Sequence, residues 1–305
     1  MKIAFVSGVF FPQPGGAQVQ THNLANQLIE NGKNVHCYVY TNPNIKNNKY
    51  KIFKINYFVT SFVYFFYYYL NINLNFLLKI YLKRILKKNF YDVWYFNFIN
   101  FKSLLLINCL KELNQKIIVT FQGIDIQKEK KINYGYRLNK KYENLLKNTL
   151  SKIDIFLAIS NNIVKDLKSL KIKSKKIILF PNSINLRKFK NIKNKNSIGI
   201  KFITVGRYAE KKKGYDLVAK IAKKLIDNKI KFKWRLIGRN INNLKKNLFI
   251  KKNIKYFELI ENIDNVNEAY FPNSKLIKLY KSSDIYLNLS RIESFGITFI
   301  ESLAS

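Results

Sequence analysis

The sequence predicts an α/β protein of two doubly wound domains, each with a parallel sheet. Three observations carry this. The chain has 305 residues, enough for about two domains with real cores. It opens with a continuous apolar run, Lys2 to Phe10, a tight Pro12-Gln13-Pro14-Gly15-Gly16 loop, a helical pattern and a second apolar run, Val35 to Tyr40. That is a βαβ unit with its glycines at the first strand-to-helix turn, and strands buried on both faces read as unbroken apolar runs. The same order then restarts at Phe202, with a strand to Val205, a glycine turn and a helix from Gly214.

The elements follow in order. From Ala17, the spacing of Val19, Leu24, Ala25, Leu28 and Ile29 predicts a helix ending near Gly32. Phe58 to Leu78 is apolar enough to span a bilayer by length alone, but Asn71, Asn73 and Asn75 interrupt it. From Leu74 to Phe90 a helical face of Leu74, Leu77, Leu78, Tyr81, Ile85 and Leu86 stands against Lys79, Lys83, Arg84, Lys87 and Lys88. Such a basic amphipathic helix fits either an anionic lipid surface or an ordinary solvated face. Strands are expected at Asp92–Phe96, Lys116–Phe121, Ile153–Ser160 and Ile177–Phe180, with helices from Phe101 to Leu113 and up to Leu170. The polar Lys/Asn-rich stretch 191–197 reads as a linker, separating domains at 1–190 and 198–305. Beyond it, strands are expected at Phe202–Val205, Phe232–Ile237, Ile254–Leu259 and Ile285–Leu289, with helices at Gly214–Ile226 and Ser274–Tyr280.

Composition narrows the function. Hydrophobic content of 48% and aromatic content of 15% exclude global disorder. The net charge of +37 fits nucleic acid, an anionic membrane or phosphorylated substrates. The lysines are spread along the chain beside abundant Asn, Ile, Tyr and Phe, so much of the charge is compositional. An RNA-binding reading rests on charge alone, with no recognition motif. Cys37 and Cys109 lack metal spacing and suit a reducing compartment. With His22 and His36 the only histidines, a histidine-based metal site is not expected. Early prolines and glycines break the N-terminal apolar run, which is not read as a signal peptide. The first turn lacks G-x-G-x-x-G, which weighs against a nicotinamide cofactor.

Two stretches carry the chemistry. Gly206-Arg207 with Lys211-Lys212-Lys213-Gly214 places basic side chains between a strand and a helix. Glu293 and Glu301, with seven residues between them that include Phe295-Gly296, place one carboxylate in a strand-to-helix loop and the other on the helix that follows. Arginine offers a planar fork of donors and lysine a point charge, both suited to phosphate. A carboxylate accepts from sugar hydroxyls. Taken singly, these are equally a solvated charge run and two ordinary glutamates.

Together, "GR…KKG" and E-x7-E resemble the nucleotide-sugar half of family 4 glycosyltransferases, retaining enzymes of the GT-B fold with two facing Rossmann-like domains. The resemblance extends to the Gly15-Gly16 loop, to Thr120-Phe121-Gln122-Gly123-Ile124-Asp125 and to Pro181-Asn182-Ser183-Ile184-Asn185 with Phe189. It departs where the family usually has T-x-H-G-x-D: Gln122 replaces the histidine, and glutamine is neither acid nor base near neutral pH. A second departure is that only four strands are readable in the second domain, where a complete unit has about six. The second domain is therefore expected to be incomplete, and the chain truncated.

The resemblance implies a donor-binding set of Gly15, Gly16, Arg207, Lys212 or Lys213, Phe295, Gly296 and Glu301. Lys213, directly before Gly214, is the favoured lysine. It implies a reacting centre flanked by Gln122, Asp125 and Glu293. Asp125 would orient hydroxyls; its plainer reading is a helix N-cap. No metal or other cofactor is implied. The expected partners are a nucleotide diphosphate sugar and a glycan or lipid-linked acceptor, with peripheral contact through 74–90 to an anionic membrane from the cytoplasmic side. The alternative is a non-catalytic remnant that binds nucleotide or membrane only. A nucleotide-sugar 2-epimerase shares the fold but fits this motif pair less well.

Overall fold

Apolar runs alternating with amphipathic segments wind into two separate parallel sheets. A computed structural model describes residues 1–7, 15–40, 48–189, 199–261, 263 and 271–305. Its contacts divide the chain into Met1–Asn182 and Ser183–Ser305. The expected linker, 191–197, lies outside the described residues, as do Phe10, Pro12, Gln13 and Pro14.

In the first unit the strands are β1 (Lys2–Ser7), β2 (Asn34–Val39), β3 (Lys51–Lys54), β4 (Val93–Phe96), β5 (Ile117–Phe121), β6 (Ile155–Ala158) and β7 (Ile177–Leu179). Their order is β3-β2-β1-β4-β5-β6-β7, all parallel. The helices are α1 (Gly16–Glu30), α2 (Tyr57–Phe65), α3 (Asn75–Lys88), α4 (Phe101–Glu112), α5 (Lys140–Leu150) and α6 (Asn161–Ser169). Five of the six residues of β1 are buried, as its unbroken apolar run predicts. Every residue from Ser103 to Leu110 of α4 is also buried, so that helix is buried nearly all round.

The apolar stretch 58–78 is not one helix. α2 passes into a π-helical turn, Phe66–Leu70, which stops at Asn71 in the left-handed region (φ 56°). Asparagine is one of the few side chains that tolerates that conformation. α3 starts four residues later. Among the described residues no helix is long and apolar enough to cross a membrane. In α3 the inward side chains are Leu78 and Leu82, with Tyr81 and Ile85 half-buried. Leu82 was not on the expected face. Lys79 is not part of a free basic face either, because it pairs with Glu112 of α4.

The second unit holds β8 (Ile200–Val205), β9 (Phe232–Ile237), β10 (Phe257–Ile260) and β11 (Ile285–Tyr286), with α7 (Val218–Asp227), α8 (Leu248–Lys252), α9 (Ser274–Lys281) and α10 (Ile297–Leu303). The strand order is β10-β9-β8-β11, again parallel. Trp234 is fully buried in a core with Phe202, Val218, Ala222, Leu236 and Phe257. Its indole donates to Thr204 Oγ1 at 3.1 Å, and Thr204 donates to the Leu287 carbonyl at 2.8 Å. One buried hydroxyl thus serves the core tryptophan and anchors the chain leaving β11. β11 was expected to reach Leu289 but pairs only at Ile285 and Tyr286.

Candidate functional site

In each sheet, strand order reverses beside the first strand: β2 and β4 flank β1, and β9 and β11 flank β8. Open α/β sheets bind ligands at this switch point, outside the carboxyl ends of the strands. The residues singled out from the sequence leave the sheets at or next to these points.

In the second unit, Gly206 and Arg207 follow β8, and the loop 287–296 follows β11. Arg207 is exposed. Lys213 forms an ion pair with Glu293 at 2.7 Å. Burial pushes the Lys212 ammonium down to about 8, helped by the positive charges of Lys213 and Arg207 and opposed by Glu293. Those four side chains therefore share one electrostatic neighbourhood, with three cations against one carboxylate. A site of that balance favours an anion.

The loops that carry them are fastened together. Gly214 adopts φ +68°, and a Cβ there would stand 2.0 Å from the Leu289 carbonyl oxygen, so the chains cross where a side chain has no room. Arg291 grips Asp216 through two bonds of 2.7 and 2.6 Å and donates to the Lys211 carbonyl at 2.7 Å. Its backbone N–H donates to the Lys212 carbonyl at 3.0 Å. Arg291 was not anticipated from the sequence, because its partner lies 75 positions away.

Phe295 is half-buried, and Gly296 caps the start of α10. Glu301 sits inside that helix and is 5% exposed. The Tyr280 hydroxyl donates to it at 3.0 Å. Burial raises its pKa to about 7, and the tyrosine's hydrogen bond holds it down. Tyr286 of β11 feels the charge of both Glu293 and Glu301, which places the two glutamates around one strand end.

In the first unit, Gly15 caps α1 and Gly16 opens it, with no acidic residue in the first turn. Gln122 follows β5 and Asn97 follows β4. The buried Asn97 joins three elements. Its amide donates to the Ala17 carbonyl (3.0 Å) and Thr21 Oγ1 (2.8 Å) of α1. Its oxygen accepts from the Tyr95 hydroxyl (3.0 Å) and Gln122 Nε2 (2.9 Å). Asn182 Nδ2 donates to Gln122 Oε1 at 3.3 Å. All four of the bonds open to Asn97 are made, so its orientation is fixed, and with it that of the Gln122 amide.

Asp125 differs from both expectations. It is fully buried, not presented to a ligand, and no helix starts after it. Its carboxylate reaches backwards to accept from the N–H groups of Gln122 (3.0 Å) and Gly123 (2.9 Å), with Ile99 N–H at 3.5 Å. Burial raises its pKa to about 7 against the pull of these donors. Its placed role is to hold the loop under Gln122. Among the described residues there is no group of three or more His, Cys, Asp or Glu that could hold a metal ion.

Two doubly wound units with such switch-point residues define a GT-B type of transferase. The chain belongs to the family 4 glycosyltransferases: the model "Glycosyltransferase Family 4" matches residues 14–188, and "Glycosyl transferases group 1" matches residues 185–305. No curated protein sequence matches it. Solved structures share the fold at low identity. HepE of Anabaena, in complex with UDP and glucose, is 12% identical with a TM-score of 0.69, over 100% of this chain and 78% of that one. The lipopolysaccharide outer core galactosyltransferase WaaB is 16% identical with a TM-score of 0.61, over 100% and 78%. A variant of TarM from S. aureus, in complex with UDP, is 9% identical with a TM-score of 0.71, over 100% and 84%.

Proposed function

We propose that this glycosyltransferase moves a sugar, with retention, from a nucleotide diphosphate sugar to a glycan or lipid-linked acceptor in cell-surface polysaccharide or glycolipid synthesis. The observation that carries the reading is the cluster of Arg207, Lys212 and Lys213 against Glu293 at the switch point of the second sheet. It is a ready site for a diphosphate beside a carboxylate able to accept from sugar hydroxyls. HepE and TarM were each solved with UDP, which fits a nucleotide donor of this kind.

Arg207 and Lys213 stabilise the departing diphosphate, supplying the electrostatic help that a metal gives in other transferases. Glu293 and the Phe295-Gly296 backbone orient the sugar ring, and Glu301 binds the ribose. Family resemblance assigns Gly15 and Gly16 a wall of the donor site. In the reaction the bond from the anomeric carbon to the diphosphate oxygen breaks. The bond to the acceptor oxygen forms on the same face, and the departing phosphate takes the acceptor's proton. The family resemblance assigns Gln122 to the reacting centre, where its amide can act as a hydrogen-bonding group and not as a base. Asp125 serves by positioning it. The acceptor is met at the cytoplasmic face of the membrane, with peripheral contact through 74–90.

Arg207 is exposed, so Arg207→Ala leaves the fold intact while turnover of UDP-, GDP- or ADP-sugars is lost. Unchanged turnover in that variant removes the diphosphate assignment.

A further inference from the structure

The described residues expose 22 large hydrophobic side chains, and nine of them fall between Tyr57 and Ile80. That concentration sits on the helical hairpin of α2, the π-helical turn and α3. The hairpin already has an inner face. Tyr64, Tyr67 and Tyr68 close around Phe101 of α4 at ring distances of 5.2, 5.8 and 5.3 Å. Lys102 donates to Ser61 at 2.7 Å with its ammonium 4.3 Å from the Tyr57 ring centre. Lys141 of α5 holds the Asn71 side chain at 3.2 Å. These contacts fix the hairpin to its unit without using its outer side.

The outer side is an aromatic stripe. Phe58, Phe62, Phe65 and Tyr69 recur at helical spacing, and all are exposed, Phe58 by 84%. Across the turn the stripe continues on α3 through Phe76 and Ile80. Further along α3 the exposed side chains become Lys83, Arg84, Lys87 and Lys88. The Asn56 N–H donates to the Tyr81 hydroxyl at 3.0 Å, so the start of α2 lies against the middle of α3, close to these cations. Nowhere between residues 31 and 91 is there an Asp or Glu. A surface with aromatic and aliphatic side chains beside cations, and no acid, is complementary to the headgroup layer of an anionic bilayer. A second copy of the chain is a poor match, since it would bring the same cations to the contact. Single-stranded RNA matches the charge but not the aliphatic part, Leu70, Ile72 and Ile80.

We propose that the outer face of this hairpin, residues 57–80, is a membrane-docking surface that enters the interfacial layer of an anionic bilayer, with Lys83 to Lys88 as its electrostatic part. This rests on the reading of a membrane-associated acceptor and extends it. The contact is moved from the basic helix alone to the aromatic face before it, and the hairpin lies on the bilayer instead of crossing it.

The test is flotation of the full chain with vesicles of phosphatidylcholine alone and of phosphatidylcholine mixed with phosphatidylglycerol. The mixed vesicles are expected to carry the protein and the neutral ones to carry less by at least about tenfold, because each cation near an anionic surface adds about fivefold and several lie together here. Phe58→Ser with Phe62→Ser is expected to lower binding to mixed vesicles by about tenfold or more, these being rings that lose apolar burial. Lys83→Glu with Lys87→Glu should abolish the preference for anionic lipid. Melting curves of both double variants check that they fold. Absence of binding to mixed vesicles, or binding that neither double variant changes, overturns the proposal. So does tighter binding of single-stranded RNA that displaces the vesicles, or a lipid-independent dimer lost with Phe58→Ser. Nucleotide diphosphate binding, measured without lipid on the same proteins, is expected to stay unchanged. Its absence in the wild type would sink the donor-site reading and leave the docking surface standing.

Discussion

Gly214→Ala tests whether the crossing of two loops holds the anion site together. Alanine at φ +68° costs about 1–2 kcal/mol from its left-handed backbone alone. Its Cβ would lie 2.0 Å from the Leu289 oxygen and 2.8 Å from the carbonyl carbon, whereas ordinary contact begins near 3.4 Å. The obstacle is backbone, so one loop must retreat by more than an ångström. Overpacking of this kind costs about 1–3 kcal/mol, for a total of about 2–5. A domain stability of about 5–15 kcal/mol exceeds most of that range, so the second unit is expected to stay folded, which the unfolding curve checks. The retreat separates Lys212 and Lys213 from the loop that bears Arg291 and Glu293. Urea unfolding should therefore show a lower midpoint, and calorimetric titration with UDP, GDP or ADP an affinity at least about tenfold weaker. Gly32→Ala is the control: it has φ +72° and nothing within 4 Å of the new Cβ, so only the backbone cost applies. A Gly214→Ala protein no less stable than the Gly32→Ala control, with normal nucleotide affinity, would refute the reasoning.

Arg291→Lys keeps the charge but loses the two-pronged grip on Asp216 and the bond to Lys211. The pair is exposed, so stability should hardly move, while nucleotide affinity drops by roughly threefold or more as the lysine loop loosens. Equal loss of stability and affinity would show that Arg291 acts on the fold instead. Glu301→Gln addresses pH. Burial raises Glu301 from 4.5 to about 7, so the folded unit favours the protonated form. Its stabilising contribution is complete below about pH 4.5 and is lost as pH rises through about 7, a change of about 3 kcal/mol. The variant should lose that slope relative to wild type in melting curves taken between pH 5 and 8. Parallel curves would place the titration elsewhere.

Much of the architecture was legible because parallel strands buried on both faces leave continuous apolar runs, as in β1 and β5. β3 left no such run: Lys51-Ile52-Phe53-Lys54 is a half-exposed edge of four residues. α5 does carry a sequence signal, with Asn139 capping it and Tyr142, Leu145, Leu146 and Leu150 buried at helical spacing. In the site, Arg207 and Glu293 were legible as motif positions. The clip of Arg291 and Asp216 was not, since pattern reading sees neighbours three or four residues apart and this pair meets only through the fold. Asp125 departs from expectation for a geometric reason. A side chain at a strand end can turn forward to a helix or back to its own loop, and the sequence is the same in both cases.

The bonds around Gln122 bear on the substitution itself. Gln122 is held at both ends, by Asn97 at 2.9 Å and Asn182 at 3.3 Å, yet an amide so held still has one N–H and one lone pair to offer. Neutral imidazole has a single donor and a single acceptor. A histidine bonded to the same two asparagines would have both ring nitrogens occupied and nothing left for a sugar hydroxyl. Exchanging Gln122 for histidine, the residue more usual in the family, would therefore offer a sugar hydroxyl a ring nitrogen only if one of the two asparagine bonds were given up.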